Sequence, residues 1–153
     1  MDVLQQFRDI AADPKAYARR WKRTNGGKVV GTLCSYAPEE LILAAGALGF
    51  RIVGGSGAIT KADAHLQAYS CSLVRGALED ALAGRLAFLD GIVFPHTCDS
   101  IQRLSDIWRM NAATGFHLDV VLPVKLDTES ARDYMAAVMR RARAELETLL
   151  ETT

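Results

Sequence analysis

"KVVGTLCSYAPEELILAAGALGFRIVGG", residues 28–55, is the stretch that decides the fold. Residues 28–33 form a short β-branched and apolar run. Such a run suits a central strand covered by helices on both faces. Pro38 then fits the first turn of a helix, and Glu39 and Glu40 sit where the helix dipole favours negative charge. The spacing predicts a helix over about 38–48, with Gly49 as its C-terminal stop, and a second strand over 50–54. Strand, helix and strand in that order make a parallel βαβ unit.

The flanking sequence extends this pattern. Val3, Leu4, Phe7, Ile10 and Ala11 repeat at helical spacing over residues 2–12. Asp13 is placed to cap a second helix over 14–24, with Pro14 at its first position and "TNGG" (24–27) ending it. Residues 62–83 alternate small and apolar residues with polar ones at helical spacing, with Gly76 and Gly84 weakening or ending helix. "DGIVFP" (90–95) is a third strand. After it comes a helix capped by Asp99 or Ser100, then a fourth strand, "HLDVVLPV" (117–124). Asp127 or Thr128 caps a last helix over about 129–151, striped by Ala131, Tyr134, Met135, Val138, Ala142, Leu146 and Leu149.

Strands alternating with helices predict an α/β domain: a parallel sheet of about four strands with helices on both faces, Rossmann-like or flavodoxin-like. Three segments are expected: N-terminal helices (1–27), an α/β core (28–127) and a C-terminal helix (128–153). Right-handed crossovers place all strand C-termini on one edge, where ligands bind in such sheets.

Length and composition bound the function. A chain of 153 residues fits one domain with a real core. Lys plus Arg and Asp plus Glu both number 18, which argues against a dedicated nucleic-acid binder. No apolar stretch approaches the ~20 residues of a membrane helix. "MDVLQQFRDI" lacks the basic-then-apolar order of a secretory signal. A cytoplasmic protein without membrane or nucleic-acid contact is expected.

The chemistry rests on three cysteines: Cys34, Cys71 and Cys98. An odd count without a signal peptide argues against a disulfide framework. Buried thiols acting as small apolar groups, an activated thiol and metal ligands all remain open. Cys34 directly follows the first strand and Cys98 lies just beyond the third, so their loops can share one crevice. Cys71 joins them if the helical region breaks near "AYSC"; otherwise it is buried wall. Three thiolates around one crevice suit a soft metal or an iron–sulfur cluster. With no Cys-x-x-Cys pair, they do not make a zinc ribbon.

The surrounding residues admit both functional and structural readings. Ser35 and Tyr36 fit hydrogen bonding to a ligand, and equally turn capping. Glu39 and Glu40 fit substrate orientation, or compensation of the dipole alone. His96 fits a proton donor or an alternative ligand as well as a plain rim histidine, and is placed better than His65 or His117. "GGSGAIT" (54–60) lacks the Gly-Lys-Ser/Thr ending of a nucleotide P-loop and reads as a turn. The basic helix with Arg19, Arg20, Lys22 and Arg23 reads as a solvated face rather than an anion site. Trp21 and Trp108 read as packing residues.

Three stretches carry a resemblance to a known family. "GKVVGTLCSYAPEELILAAGALGFRIVGG", "ADAHLQAYSCSLVRGALEDALAG" and "LDGIVFPHTCDSIQRLSDIW" resemble, in this order, the N-terminal region of the 2-hydroxyacyl-CoA dehydratase and benzoyl-CoA reductase family. The resemblance spans about residues 15–123. It implies the cluster-binding domain of a D-type subunit, holding an oxygen-sensitive 4Fe–4S cluster through Cys34, Cys71 and Cys98. It also implies an acyl-CoA substrate, a related second subunit and an ATP-dependent iron–sulfur activator. Single electrons would then reach the thioester for dehydration or ring reduction, in a lyase or an oxidoreductase of anaerobic metabolism. Ser35, Tyr36, Glu39 and His96 are the catalytic candidates. Family subunits continue into a second α/β domain, so the helix over 128–153 is expected to be the connection to it. A non-catalytic assembly or electron-transfer module and a metal-free thiol enzyme are the alternatives.

Overall fold

A computed structural model describes residues 2–55, 57–112 and 114–150. Helix α1 (Val3–Ala12) is capped by Asp2, and α2 (Pro14–Asn25) by Asp13, whose carboxylate accepts the Ala16 amide hydrogen. Strand β1 (Val29–Leu33) is buried at every position. The chain continues through α3 (Glu39–Ala44), β2 (Leu48–Ile52), a short 3-10 turn (Ala62–Ala64), α4 (Ser72–Leu82), β3 (Gly91–Pro95), α5 (Asp99–Asn111), β4 (Phe116–Val120) and α6 (Glu129–Leu150). The four strands form one parallel sheet in the order β2-β1-β3-β4, as the βαβ reading requires.

The two-faced strands account for two cores. From β1 and β3, Val29, Leu33, Ile92 and Phe94 face α2, α4 and α5, together with Ala18, Leu78 and Trp108. Val30 and Val93 face the other way, toward α3 and α6 through Ile42, Ala142 and Leu146. Trp108 and Phe94 are fully buried edge to face, each side chain contributing roughly 2–3 kcal/mol. Helix α6 thus packs part of its stripe on its own sheet, while Tyr134 from that stripe stays exposed.

Several boundaries differ from the sequence reading. Helix α3 ends before Gly46, not at Gly49. Gly46 adopts φ +78°; its amide bonds to the Leu43 carbonyl, and the Ala47 amide reaches the Ile42 carbonyl. That paired closure is a Schellman cap, and it lets β2 start at Leu48. Strand β4 stops at Val120, short of the expected 124. Helix α5 is headed by Cys98 rather than Asp99 or Ser100, and Asp99 lies in its acidic first turn. Thr128 heads α6, its hydroxyl accepting the Ala131 amide. The expected end of that helix near Glu151 lies outside the described residues.

Gly76 does not end helix α4; it is buried within it. Gly54, at φ +74°, brings the chain leaving β2 against it, and a Cβ on Gly54 would lie 3.0 Å from Gly76 backbone. The glycine-rich turn is therefore a close packing contact. Ser56 within it lies outside the described residues.

Two buried carboxylates, Glu79 and Asp80, and the half-buried Asp90 tie the loops and helices to the sheet. Glu79 of α4 accepts the Thr60, Lys61 and Ala62 amides and the Thr60 hydroxyl. Asp80 pairs with Lys15 of α2 and with Arg85, each at 2.6 Å. Asp90 accepts the Val29 amide and pairs with Lys22. Arg19 lies over the Phe88 ring and Arg20 over Tyr17, so much of the basic face of α2 is engaged in packing.

Two outcomes follow for stability. Gly26→Ala and Gly54→Ala both place Cβ at a left-handed position, costing about 1–2 kcal/mol, but only Gly54→Ala also meets backbone. Urea unfolding should show Gly54→Ala as the more destabilised; equal losses would contradict the close approach. The Glu79 carboxyl is held down at about 2 by the Ala62 and Thr60 amides, against burial, with help from the Thr60 hydroxyl and the Lys61 amide. Its folded value lies below its unfolded one. Its contribution is therefore complete above about pH 4.5 and lost as pH falls toward 2. Glu79→Gln should flatten the acid limb of a stability–pH curve, and an unchanged limb would refute this.

Candidate functional site

β1 pairs with β2 on one side and β3 on the other, so the strand order reverses between β1 and β3. Loops leaving those two strands diverge there and open a crevice. A cleft of about 990 Å³ occupies that position. One wall is the loop after β1 with the start of α3: Cys34, Ser35, Tyr36, Glu39 and Glu40. His96 and Thr97 follow β3. The rest of the wall includes Leu122, Pro123 and Met135, and Arg51 and Arg132 supply positive charge.

The loop after β1 has unusual backbone geometry. Cys34 has φ 52° and Tyr36 φ 69°, the only non-glycine residues with positive φ among those described. Each such position costs about 1–2 kcal/mol for a side chain with a Cβ. Cys34 is half-buried against the core, whereas Tyr36 is 70% exposed. The strain therefore holds an aromatic ring out at the rim of the cleft instead of burying it.

The other two thiols reach the same edge by a different route. The helical region does break before Cys71, which heads α4 with extended backbone. Cys98 heads α5 in the same way. Helices of right-handed crossovers run back along the sheet, so both N-termini start at the strands' carboxyl edge. All three thiols are free; Cys71 and Cys98 are exposed, not buried as small apolar groups. Only Cys34 lines the cleft. Among the described residues, no group of three His, Cys, Asp or Glu side chains is close enough to hold a metal ion. Of the catalytic candidates, Ser35, Tyr36, Glu39 and His96 all line the cleft. Glu39 accepts a long 3.4 Å bond from the Thr32 hydroxyl.

A polar network behind His96 escaped the sequence reading. Asp119 of β4 bonds His96 Nε2 at 2.9 Å through Oδ1. The same oxygen accepts the Ser105 hydroxyl at 2.5 Å. Ser105 Oγ in turn meets His117 Nε2 at 2.8 Å, and Arg109 pairs with Asp119 Oδ2. His117 stacks on Phe94, with its Nδ1 buried and unpartnered. Burial pushes the Asp119 carboxyl up. Hydrogen bonds from His117, Ser105 and His96, with the His117 charge, outweigh it and hold the group well below the usual carboxylate range. A signal for this network exists in "HLDV". Its period of two sets His117 and Asp119 on one face, while Ser105 and Arg109 lie four apart on a helix. Nothing local says that these two faces meet.

A family model described as 2-hydroxyglutaryl-CoA dehydratase, D-component, matches residues 34–153. The beta subunit of lactoyl-CoA dehydratase of Anaerotignum propionicum is 31% identical over 149 residues, 97% of this chain and 39% of that protein. A benzoyl-CoA reductase component of Thauera aromatica is 33% identical over 135 residues, 86% of this chain and 35% of that protein. The beta subunit of (R)-phenyllactyl-CoA dehydratase of Clostridium sporogenes is 28% identical, again over 86% and 35%. The chain thus spans a little over a third of the length of these curated relatives. No described helix is long and apolar enough to cross a membrane.

The strained loop has a measurable consequence. Tyr36→Gly removes the left-handed penalty and should raise unfolding stability by about 0.5–1 kcal/mol, the penalty less glycine's entropic cost. A loss of stability in urea titration would show that the Tyr36 ring packs favourably instead.

Proposed function

We propose the function from one premise: the chain belongs to the 2-hydroxyglutaryl-CoA dehydratase D-component family. On this reading it is the iron–sulfur domain of a radical acyl-CoA dehydratase or reductase. It works in the cytoplasm with an acyl-CoA substrate, a related second subunit and an ATP-dependent iron–sulfur activator. Its α/β core carries the site, and α6 leads toward a second domain.

The observation that carries the reading is Cys34, held by a strained turn in the cleft where the strand order reverses. The donor set suits a thiolate-bound cluster in kind, since three free soft ligands start from one edge of the sheet. Their arrangement does not yet close a coordination sphere. On this reading the segments bearing Cys71 and Cys98 move toward Cys34 when a cluster binds. A bound 4Fe–4S cluster would supply one-electron transfer. The chain's own residues bind and orient the substrate: Arg51 and Arg132 attract its negative charge, the Leu122–Pro123 wall excludes water, and Ser35, Tyr36, Glu39 and His96 present polar groups. The separation of the thiols also favours a second reading, a metal-free thiol enzyme.

Anaerobic reconstitution with ferrous iron and sulfide distinguishes the two. The expected result is the broad visible absorption of thiolate-ligated iron, lost in Cys34→Ala and Cys71→Ala and weakened in Cys98→Ala. Equal iron uptake by a chain lacking all three thiols would refute the cluster.

A further inference from the structure

The network behind His96 fixes more than its position. Asp119 is ionised and can only accept hydrogen bonds. Its Oδ1 lies 2.9 Å from His96 Nε2 and 2.5 Å from Ser105 Oγ, so both must donate to it. Ser105 has a single hydrogen, which goes to Asp119. His117 Nε2, 2.8 Å from the same hydroxyl oxygen, must then donate to it. Arg109 occupies Oδ2 from α5 and has no proton to lose. Every partner therefore places the His96 hydrogen on Nε2.

His96 lines the cleft while its Nε2 turns to β4. Its Nδ1 has no partner among the described residues and is not among the buried orphaned atoms. We propose that Asp119 is a positioning residue: in the neutral ring it fixes the His96 hydrogen on Nε2 and so presents Nδ1 to the cleft as an acceptor for a hydroxyl on the bound ligand. Ser35, Tyr36 and Thr97 also bring hydroxyls to the cleft, each able to donate as well as to accept. Arg51 and Arg132 on the cleft wall are donors only. Glu39 and Glu40 accept, but their charge has the same sign as that of the CoA phosphates. In the Nε2–H ring, Nδ1 of His96 accepts without donating, in the same cleft as Cys34. It therefore selects a 2-hydroxyacyl thioester over the same thioester lacking its hydroxyl. This selectivity rests on the acyl-CoA reading above; the tautomer does not.

Two measurements on the whole chain test it. Long-range proton–nitrogen NMR at pH 8 should show His96 with hydrogen on Nε2 alone, and Asp119→Asn should populate the Nδ1–H form. Hydrogen on Nδ1 in the unmodified protein would overturn the proposal whether or not the variant folds. Calorimetric titration of the cluster-free chain with lactoyl-CoA and propionyl-CoA should then favour the hydroxylated ester by about five- to tenfold, the worth of one hydrogen bond. That ratio should fall to about one in His96→Phe and survive in His96→Asn, whose amide oxygen replaces Nδ1. Equal affinities in the unmodified protein would overturn the selectivity alone, and binding of neither ester would overturn the acyl-CoA reading together with it.

Discussion

The whole arrangement depends on β1 being buried on both faces. A strand with no solvent face must have neighbours on either side and helices above and below. β2 and β3 satisfy the first need, and the two helical layers satisfy the second. Because β2 and β3 lie on opposite sides of β1, the loops after β1 and β3 separate at the sheet edge and leave a hollow. The cleft is thus a consequence of topology, and part of its lining is the residues that happen to follow the two central strands: Cys34 to Glu40 and His96 to Thr97.

Stability and chemistry are divided between regions. The tight contacts are on the α2, α4 and α5 side, where Gly54 meets Gly76 and where Glu79, Asp80 and Asp90 anchor loops and helix ends. The strained positions, Cys34 and Tyr36, sit at the cleft. A rigid scaffold next to a strained, exposed loop is the arrangement expected where backbone strain serves binding rather than folding. His96 joins the two regions, since the partner that orients it belongs to the edge strand and is held by the packed helix α5.

The sheet is legible in the sequence because its strands are short, β-branched and bounded by glycine, proline or acidic caps. Cys34 is legible as an edge residue for the same reason. The length of α3 is not. Gly46 and Gly49 are both plausible stops, and only the hydrogen bonds of Gly46 and Ala47 choose between them. Cys71 fits two places by sequence alone, and the break before α4 decides for the edge. The pairing within the Asp119 network is hidden because its members come from the loop after β3, from α5 and from β4, and pairing across elements has no local signature. The left-handed turns at Cys34 and Tyr36 are hidden too, since neither residue type favours that conformation.

The central claim is that the β1–β3 hollow gathers thiol ligands around iron with Cys34 as the fixed member. Anomalous X-ray scattering at the iron edge, from crystals of the anaerobically reconstituted chain, tests it most directly. The account predicts iron density in the cleft bonded to the Cys34 sulfur, with Cys71 and Cys98 drawn in from their helix ends. Iron bound elsewhere, with Cys34 still free against the core, would contradict it.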